Sequence, residues 1–433
     1  MKKIALISHG CAKNLVDSEL ILGILAQKGY QITLNESETD TVIVNTCSFI
    51  SDAEKESVRS ILEMVDEGKK VIVTGCLAQK HAEELKEAIP EIKAVVGTTD
   101  FVKIAEVLEK IDSEFVNEVS KEPNFIYPEN VERQQITMGA SSYIKIADGC
   151  NYRCGYCVIP YLRGNYNSRK MEDIISEAKS MVKKGVTEII LVAQDTTGYG
   201  IDIYKKPMLS ELLRELNKIE GTFRIRFVTS YPTDITDDLI DAVDECDKVC
   251  KYFHIPMQSG NSEVLKKMNR RYDREQYKSI VEKIRKRFKH VTITSDFIAG
   301  FPGETEEQFQ DTLSAIKGLQ LDYSNTAAYS PRERTVAAKW TDKFLSEEVK
   351  YERLERLNEV NKEACIESNK RFVGEVLDVL VEDVKERDGK RIITSRAGNN
   401  KIVHFESETA QIGDFANVKI EKASMWCVKG IQV

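Results

Sequence analysis

Short apolar runs alternate with amphipathic segments along the first 111 residues. The runs are IALIS, TVIVN, VIVTG and AVVG, and each is followed by apolar residues at helical spacing, as in DSELILGILAQKGY and AQKHAEELKEAI. Strands that alternate with helices predict a parallel, doubly wound sheet. We therefore expect an α/β domain over residues 1–111.

A second series of strands and helices follows a polar segment. Residues 112–141 carry two prolines and no sustained periodicity, which indicates a linker. Strands are then predicted at YIKIA, EIILVAQ, FRIRFVT, KYFHIPM, VTITSDFIAG and DYSNTAAY. Six consecutive units favour a partial (β/α)6 barrel over residues 142–369. The active sites of such barrels lie at the carboxyl ends of the strands.

The pattern changes to a period of two in residues 370–433. The runs VGEVLDVLVED, RIITSRA, NKIVHF and ANVKIEKA are separated by turn sequences such as RDGK and IGD. This alternation predicts a small antiparallel β-barrel. Residues 370–433 include 11 Lys and Arg and 10 Asp and Glu, and this charge is too close to neutral for strong binding of phosphate groups.

Composition narrows the class of protein. With 433 residues, 42% hydrophobic and 30% charged, the chain has the make-up of an ordinary globular protein with several domains, the first of them Rossmann-like. A net charge of −8 argues against coating of nucleic acid through bulk charge. The apolar run in MKKIALISHGCAKN is too short for a signal peptide, and no segment reaches the length of a membrane span. We expect a cytoplasmic protein, in which clustered cysteines more often bind metal than form disulfides.

Three cysteines stand close together directly after the first predicted barrel strand. In ADGCNYRCGYCVIP they are Cys150, Cys154 and Cys157, and a C-x3-C-x2-C loop suits three corners of a 4Fe-4S cluster. Structural zinc normally takes four N or S ligands, and the following VIPYLRGNYNSRK offers neither Cys nor His. Three buried thiols are the other alternative. A cubane with three cysteines leaves one iron open, and we interpret the missing ligand as the functional feature.

This loop resembles that of the radical S-adenosylmethionine enzymes, with C-x3-C-x-aromatic-C after the first strand of a six-unit barrel. The resemblance implies that S-adenosylmethionine binds the open iron and is cleaved by one electron to a 5′-deoxyadenosyl radical. It also implies that Tyr156 lies near the adenine, as do Ile298 and Gly300 in DFIAGFPGETEEQF. Alternatively, Tyr156 is an aromatic residue that packs within its loop. The alternative for DFIAGFPGETEEQF is a tight turn followed by a capping box from Thr305 to Gln308.

Three further cysteines, Cys11, Cys47 and Cys76, each follow a predicted strand of the first domain. Taken alone, such residues are more often small buried hydrophobes than ligands. The carboxyl ends of parallel strands share one edge of a sheet, however, so we expect the three to converge. With the triplet, they are similar to those of the methylthiotransferases, which hold a second 4Fe-4S cluster. The similarity covers essentially the whole chain and implies a C-terminal TRAM domain.

The resemblance extends to two branches of that family. GCAKNLVDSE, NTCSFI, TGCLAQ and LVAQDTTGYGIDIY resemble the branch that methylthiolates the β-carbon of an aspartate in small-subunit ribosomal protein uS12, which is the substrate we expect. RIRFVTSYP, HIPMQSGNSEVLKKM and NKIVHF are closer to a branch that modifies C2 of isopentenyladenosine in tRNA, the alternative substrate.

The family also implies one S-adenosylmethionine as methyl donor, a second as radical source, and a reducing protein such as a flavodoxin or ferredoxin. No carboxylate pair stands out as acid and base, and we assign no catalytic side chain and no role to His254. A non-catalytic iron-sulfur or zinc protein that binds RNA through its terminal barrel is the alternative from another class.

Overall fold

The computed structural model describes residues 2–48, 51–128, 131–136, 139–387 and 389–433. Two compact units are present. The N-terminal unit comprises Met1–Met138, Ala147–Asn151 and Ile159–Asn167, and the C-terminal unit comprises Gly139–Ile146, Tyr152–Val158 and Ser168–Val433. Among the described residues, no helix has both the length and the apolar content that a bilayer span requires.

A parallel sheet forms the centre of the N-terminal unit, with strand order β2-β1-β3-β4-β5-β6. The strands are β1 Lys3–Ser8, β2 Gln31–Thr33, β3 Thr41–Thr46, β4 Lys70–Gly75, β5 Ala94–Val96 and β6 Val116–Glu118. The helices are α1 Ala12–Gln27, α2 Ser51–Asp66, α3 Cys76–Lys80, α4 Ala82–Ala88 and α5 Ile104–Lys110, with 3-10 turns at Glu36–Glu38 and Asp100–Lys103. β3 is buried along its whole length, as expected for a central strand covered by helices on both faces. The predicted doubly wound sheet is confirmed.

Two edge strands, β2 and β6, were not predicted. β6 lies within residues 112–141, the segment that we expected to be a linker, and it pairs with β5 from Ala94↔Val116 to Val96↔Glu118. Each of the two strands has three residues, none of them fully buried. A strand of this length at a sheet edge shows too little alternation for its pattern to be recognised.

The barrel strands lie where the pattern predicts them. They are β7 Ser141–Lys145, β10 Glu188–Val192, β11 Arg224–Phe227, β12 Tyr252–His254, β13 Thr292–Ala299 and β14 Tyr323–Ala328, with the short pair β8 Ala147–Asp148 and β9 Asn167–Ser168 between the first two. They form two parallel sheets, β11-β10-β7 and β12-β13-β14, which an isolated parallel bridge between Ile225 and Val249 connects. The six strands form an open arc, because β7 and β14 at its two ends do not pair, as expected for a partial barrel.

Helices alternate with these strands. They are α6 Ile159–Arg163, α7 Met171–Lys183, α8 Ile201–Tyr204, α9 Leu209–Asn217, α10 Asp237–Glu245, α11 Ser262–Lys267, α12 Arg274–Arg287, α13 Glu306–Leu319 and α14 Glu347–Lys370, with 3-10 turns at Pro232–Asp234, Ala337–Lys339 and Thr341–Lys343. The predicted capping box begins α13, since Gln308 N donates to Thr305 Oγ1 at 3.3 Å and Thr305 N donates to Gln308 Oε1 at 3.1 Å. This cap fixes the turn that follows β13.

A closed barrel with strand order β15-β16-β17-β19-β18 ends the chain. Its strands are β15 Val376–Arg387, β16 Lys390–Ala397, β17 Ile402–Glu406, β18 Phe415–Ala423 and β19 Val428–Gln432. β17 and β19 pair in parallel through Val403↔Val428, and the remaining pairs are antiparallel. Closure leaves no open sheet edge and buries the apolar half of each alternating strand. The predicted small barrel is confirmed.

Candidate active site

Cys11, Cys47 and Cys76 lie beyond the ends of β1, β3 and β4, which are neighbours in the sheet. Two glycines with positive φ allow the loops to approach each other closely. A Cβ added to Gly10, at φ +92, would lie 2.8 Å from Cys47 Sγ, and one added to Gly75, at φ +92, would lie 2.5 Å from a backbone oxygen at the end of β3. The structure thus brings the three cysteines to one edge of the sheet. The last two residues of the motif NTCSFI, 49 and 50, lie outside the described residues.

The three thiols differ in their environments. Cys11 is exposed, whereas Cys47 and Cys76 are buried. Burial raises the pKa of Cys76 to about 11, and the nearby thiols of Cys11 and Cys47 act in the same direction. For Cys11, desolvation is outweighed by the charges of Lys13 and Arg163, so its pKa lies below the ordinary value. The effect of Cys11 and Cys47 on the pKa of Cys76 agrees with three sulfurs that lie close together.

Arg163, the last residue of α6, places a positive charge beside these thiols. Its side chain is only 2% exposed, and its Nη1 donates to Asp17 Oδ2 at 3.0 Å and to Asp148 Oδ2 at 2.8 Å. Its Nη2 donates to Asn14 Oδ1 at 2.5 Å, the atom that also accepts from Cys76 Sγ at 3.9 Å. This network was not predicted from the sequence. Two carboxylates close to the cysteines could have indicated it: Asp17 lies in GCAKNLVDSE, and Asp148 lies two residues before Cys150.

The cysteine triplet lies on one loop of the chain. Cys150 belongs to the N-terminal unit, where its N–H donates to Gly164 O at 3.1 Å. Cys154 and Cys157 belong to the C-terminal unit, where Cys157 N donates to Cys154 O at 3.0 Å. All three are half-exposed. This soft donor set fits a cubane iron-sulfur cluster, in which each thiolate binds a separate iron. Among the described residues, no three His, Cys, Asp or Glu side chains are grouped as ligands of a single metal ion.

The residues expected near the adenine lie around one apolar cluster of the C-terminal unit. Tyr156 and Ile298 are both half-buried and pack against the cluster. Its buried members are Val264, Met268, Phe301, Tyr329 and Ala337, and Trp340 also packs against it. Half-exposed apolar and aromatic side chains on a packed base suit one face of a purine ring. Gly300, at φ +73, directly follows β13, the strand that carries Ile298, and its N–H donates to Glu304 Oε2 at 2.8 Å.

Polar side chains occupy the same face of the barrel sheet as Ile298. Asp296 is two residues earlier on β13, so the two side chains point to one side. His254 Nε2 lies 3.3 Å from Asp296 Oδ2, and Asn325 Nδ2 donates to Asp296 Oδ1 at 2.9 Å. Although burial opposes ionisation, these contacts hold the pKa of Asp296 below its ordinary value. The sequence alone indicated no role for His254, because its partners Thr294 and Asp296 lie on another strand.

Asp195, within the motif LVAQDTTGYGIDIY, is a buried carboxyl group near the cysteine loop. It accepts hydrogen bonds from Thr197 N at 3.0 Å and from Tyr231 N at 3.2 Å. The hydroxyl of Tyr152, two residues before Cys154, donates to Asp195 Oδ2 at 3.3 Å. Burial raises the pKa of Asp195 to about 6. The motif stands out in the sequence, but the burial of Asp195 and its contact with Tyr152 were not predicted.

Comparison with known proteins places these features in a family. Family models match at residues 144–316 (Radical SAM superfamily), 3–97 (Uncharacterized protein family UPF0004) and 370–433 (TRAM domain). A protein of Pelotomaculum thermopropionicum named ribosomal protein uS12 methylthiotransferase RimO is 42% identical, over 99% of this chain and 98% of its own. The chain belongs to the radical S-adenosylmethionine methylthiotransferase family. A Nostoc protein of the same name is 41% identical, over 98% of this chain and 97% of its own.

Solved structures show the same fold at low identity. The radical S-adenosylmethionine methyltransferase TsrM from Kitasatospora setae, with cobalamin and a [4Fe-4S] cluster bound, superposes with a TM-score of 0.59 at 15% identity, over 78% of this chain and 77% of that one. The cobalamin-dependent radical enzyme OxsB gives a TM-score of 0.54 at 12% identity, over 81% of this chain and 56% of that one. These structures show the fold alone, and the enzyme class follows from the family matches. The methylthiotransferase is an α/β enzyme of the radical S-adenosylmethionine class, and its closed terminal barrel is the TRAM domain.

Proposed function

We propose that this methylthiotransferase adds a methylthio group to the β-carbon of an aspartate in ribosomal protein uS12. The observation that carries the proposal is the convergence of Cys11, Cys47 and Cys76 at one sheet edge, because a radical enzyme with a single cluster needs only the Cys150 loop. The relatives that match nearly the full chain at 38–42% identity, and that bear the name of a uS12 methylthiotransferase, support the substrate.

Two sets of three cysteines would hold two 4Fe-4S clusters. Cys150, Cys154 and Cys157 would hold the cluster at which S-adenosylmethionine binds, and Cys11, Cys47 and Cys76 the auxiliary one. When bound, these groups supply one-electron chemistry and hydrogen-atom abstraction, for which the protein provides binding and orientation. A reducing protein of the flavodoxin or ferredoxin type would supply the electron.

The protein's own side chains would orient the reactants. Tyr156 and Ile298 offer an apolar face to the nucleoside. Asn325, whose Nδ2 donates to Asp296 on the same side of the sheet, offers its Oδ1 to a polar substrate group. Both ring nitrogens of His254 are already engaged, with Thr294 Oγ1 at 2.9 Å and Asp296 Oδ2 at 3.3 Å, so His254 helps to fix Asp296. The surrounding packed side chains would exclude dioxygen and other hydrogen-atom donors from the reacting carbon, where these would quench a radical. No proton relay is required for this step.

Iron content and product analysis test the two-cluster assignment. After anaerobic reconstitution we expect about eight irons per chain, as in two cubanes. Cys154→Ala and Cys47→Ala should each lose about four. Cys154→Ala should also abolish formation of 5′-deoxyadenosine, whereas Cys47→Ala should retain it and lose methylthio transfer. Cys427→Ala, which removes a half-exposed thiol of the TRAM domain, is the control and should keep all the iron. Recovery of no more than four irons in folded wild-type protein would contradict the assignment.

The substrate is tested separately in a strain that lacks the gene. Mass spectrometry should show uS12 without its methylthio group and tRNA nucleosides unchanged. Loss of a methylthio group from tRNA, with uS12 still modified, would instead establish the tRNA alternative. The curated relatives named above do not favour that alternative, although RIRFVTSYP and NKIVHF resemble the tRNA branch.

A further inference from the structure

Arg270 contacts a cysteine of the triplet from outside the cysteine loop. Its Nη1 donates to Cys154 Sγ at 3.5 Å. The other two nitrogens are also engaged, because Nη2 donates to Pro256 O at 2.9 Å and Nε donates to Tyr272 Oη at 2.6 Å. With all three nitrogens bonded, the guanidinium is held in one orientation, with one N–H directed at the sulfur.

Two neighbouring aromatic rings lie against this guanidinium. Its Cζ lies 4.5 Å from the ring centroid of Tyr231 and 4.9 Å from that of Tyr272. Tyr272 is itself fixed, since its one hydroxyl hydrogen is shared between Pro256 O at 2.9 Å and Met257 O at 3.0 Å. Aromatic faces attract a cation and displace water from it. In such a setting, a charge acts on a neighbouring sulfur more strongly than it would in bulk water.

The backbone around Arg270 also holds the cysteine loop. Gly155 N donates to Met268 O at 2.9 Å. Asn269, in a left-handed conformation at φ +59, donates through Nδ2 to Arg153 O at 3.0 Å. The segment 268–270 therefore touches the loop on both sides of Cys154 and places the guanidinium at its sulfur. Contacts on both sides indicate that the Arg270–Cys154 distance is set by the fold and not by a freely rotating side chain.

We propose that Arg270 is a positioning residue that raises the reduction potential of the cluster held by Cys150, Cys154 and Cys157. One-electron reduction adds one negative charge to the cluster, and the electron comes from the external reductant. A fixed cation that donates a hydrogen bond to a ligand sulfur stabilises the more negative state, because hydrogen bonds and charge near the sulfurs set cluster potentials. The inference rests on the proposed function, since it requires a cluster at these cysteines.

The test is a redox titration of the full-length protein, reconstituted with iron and sulfide and free of S-adenosylmethionine. Dithionite is the reductant, and electron paramagnetic resonance follows the reduced cluster. A chain with Cys11, Cys47 and Cys76 all changed to Ala serves only to assign the signal. Arg270→Gln removes the charge, and Arg270→Lys keeps it without the planar fork. The control is Arg271→Gln, because Arg271 is an exposed neighbour whose guanidinium lies 5.5 Å above the ring of Tyr152.

At the wild-type midpoint potential, Arg270→Gln should lower the ratio of reduced to oxidised cluster about tenfold, which is about 59 mV for a one-electron couple. Arg270→Lys should show a smaller shift, and it also provides the measurement if the Gln variant does not load iron. Arg271→Gln should stay within about twofold of wild type. An unchanged potential in iron-loaded Arg270 variants, or an equal shift in Arg271→Gln, would overturn the role of Arg270. Failure of the proposed function would look different: the assigning variant would then bind no reducible cluster at all.

Discussion

Replacing Arg163 by Met removes a buried charge and keeps most of the side-chain length. The guanidinium serves two carboxylates, Asp17 and Asp148, whose side chains are 5% and 1% exposed. Breaking a buried ion pair by removing one partner costs about 3–5 kcal/mol, because the remaining charge stays buried without compensation. Both carboxylates lose their ion-pair partner here, although Asp148 still accepts a hydrogen bond from Gly149 N at 2.9 Å, so we expect the low end of this range, about 3 kcal/mol. At a factor of ten per 1.4 kcal/mol, this amounts to about a hundredfold in an opening equilibrium.

Hydrogen exchange of the iron-free protein measures this effect within one unit of the chain. Peptides that cover β3 and β4 should exchange about a hundredfold faster in Arg163→Met than in wild type, because exchange from a sheet core reports its opening free energy. Peptides from β18 provide an internal reference. The control variant is Lys103→Met, because Lys103 and Glu118 form an ion pair at the surface, 48% and 32% exposed. Exposed pairs contribute about 0–1 kcal/mol, so this change should have little effect.

A change of less than tenfold in β3 and β4 would refute the reasoning, because the carboxylates would then not depend on Arg163 for their burial. The double variant Asp17→Asn with Arg163→Met tests the cause. If uncompensated charge is responsible, neutralising Asp17 should restore part of the lost protection. If the loss comes instead from the shape of the side chain, the double variant should exchange as fast as Arg163→Met alone.

Three further outcomes follow from the structure. In iron-free protein at neutral pH, iodoacetamide should label Cys11 at least about a hundredfold faster than Cys76. The reason is that only the thiolate reacts, and burial raises the pKa of Cys76 to about 11. Similar labelling rates of the two cysteines in peptide mapping would contradict this. Gly75→Ala should destabilise β4 by about 1–3 kcal/mol more than Gly68→Ala, since both glycines have positive φ but only Gly75 faces close backbone atoms. Equal hydrogen-exchange rates in the two variants would argue against the close approach of the β3 backbone to Gly75. Thr305→Ala should weaken the start of α13 by about 1 kcal/mol, whereas Thr305→Ser keeps the hydroxyl and should not; the exchange rates of α13 amides decide between these results.

Most of the fold was predictable because it depends on local periodicity. The central strands β3 and β4 and the barrel strand β10 are built around continuous apolar runs, VIV in the first two and IILV in the third. β2 and β6 were not predictable, because three residues at a sheet edge carry neither a buried run nor a clear alternation. They depend on the neighbouring strand for their hydrogen bonds.

The candidate site was predictable only in part. The six cysteines stand out by residue type and by their places after strands. Arg163 and Arg270 do not, because each resembles any other arginine until its partner is known. Arg163 lies 146 residues from Asp17 along the chain, and Arg270 lies 116 residues from Cys154. No local pattern connects residues at such separations.

The sequence by itself determined the donor types and the order of the elements, since thiolate chemistry and apolar periodicity belong to single residues and to short stretches of chain. Only the tertiary structure decided which charges stand beside those thiolates. It buried Arg163 between two carboxylates, directed Arg270 at the sulfur of Cys154, and brought His254 to Asp296. The physical reason is that hydrogen bonds and charge interactions depend on distance and hydration, and both are properties of the folded chain.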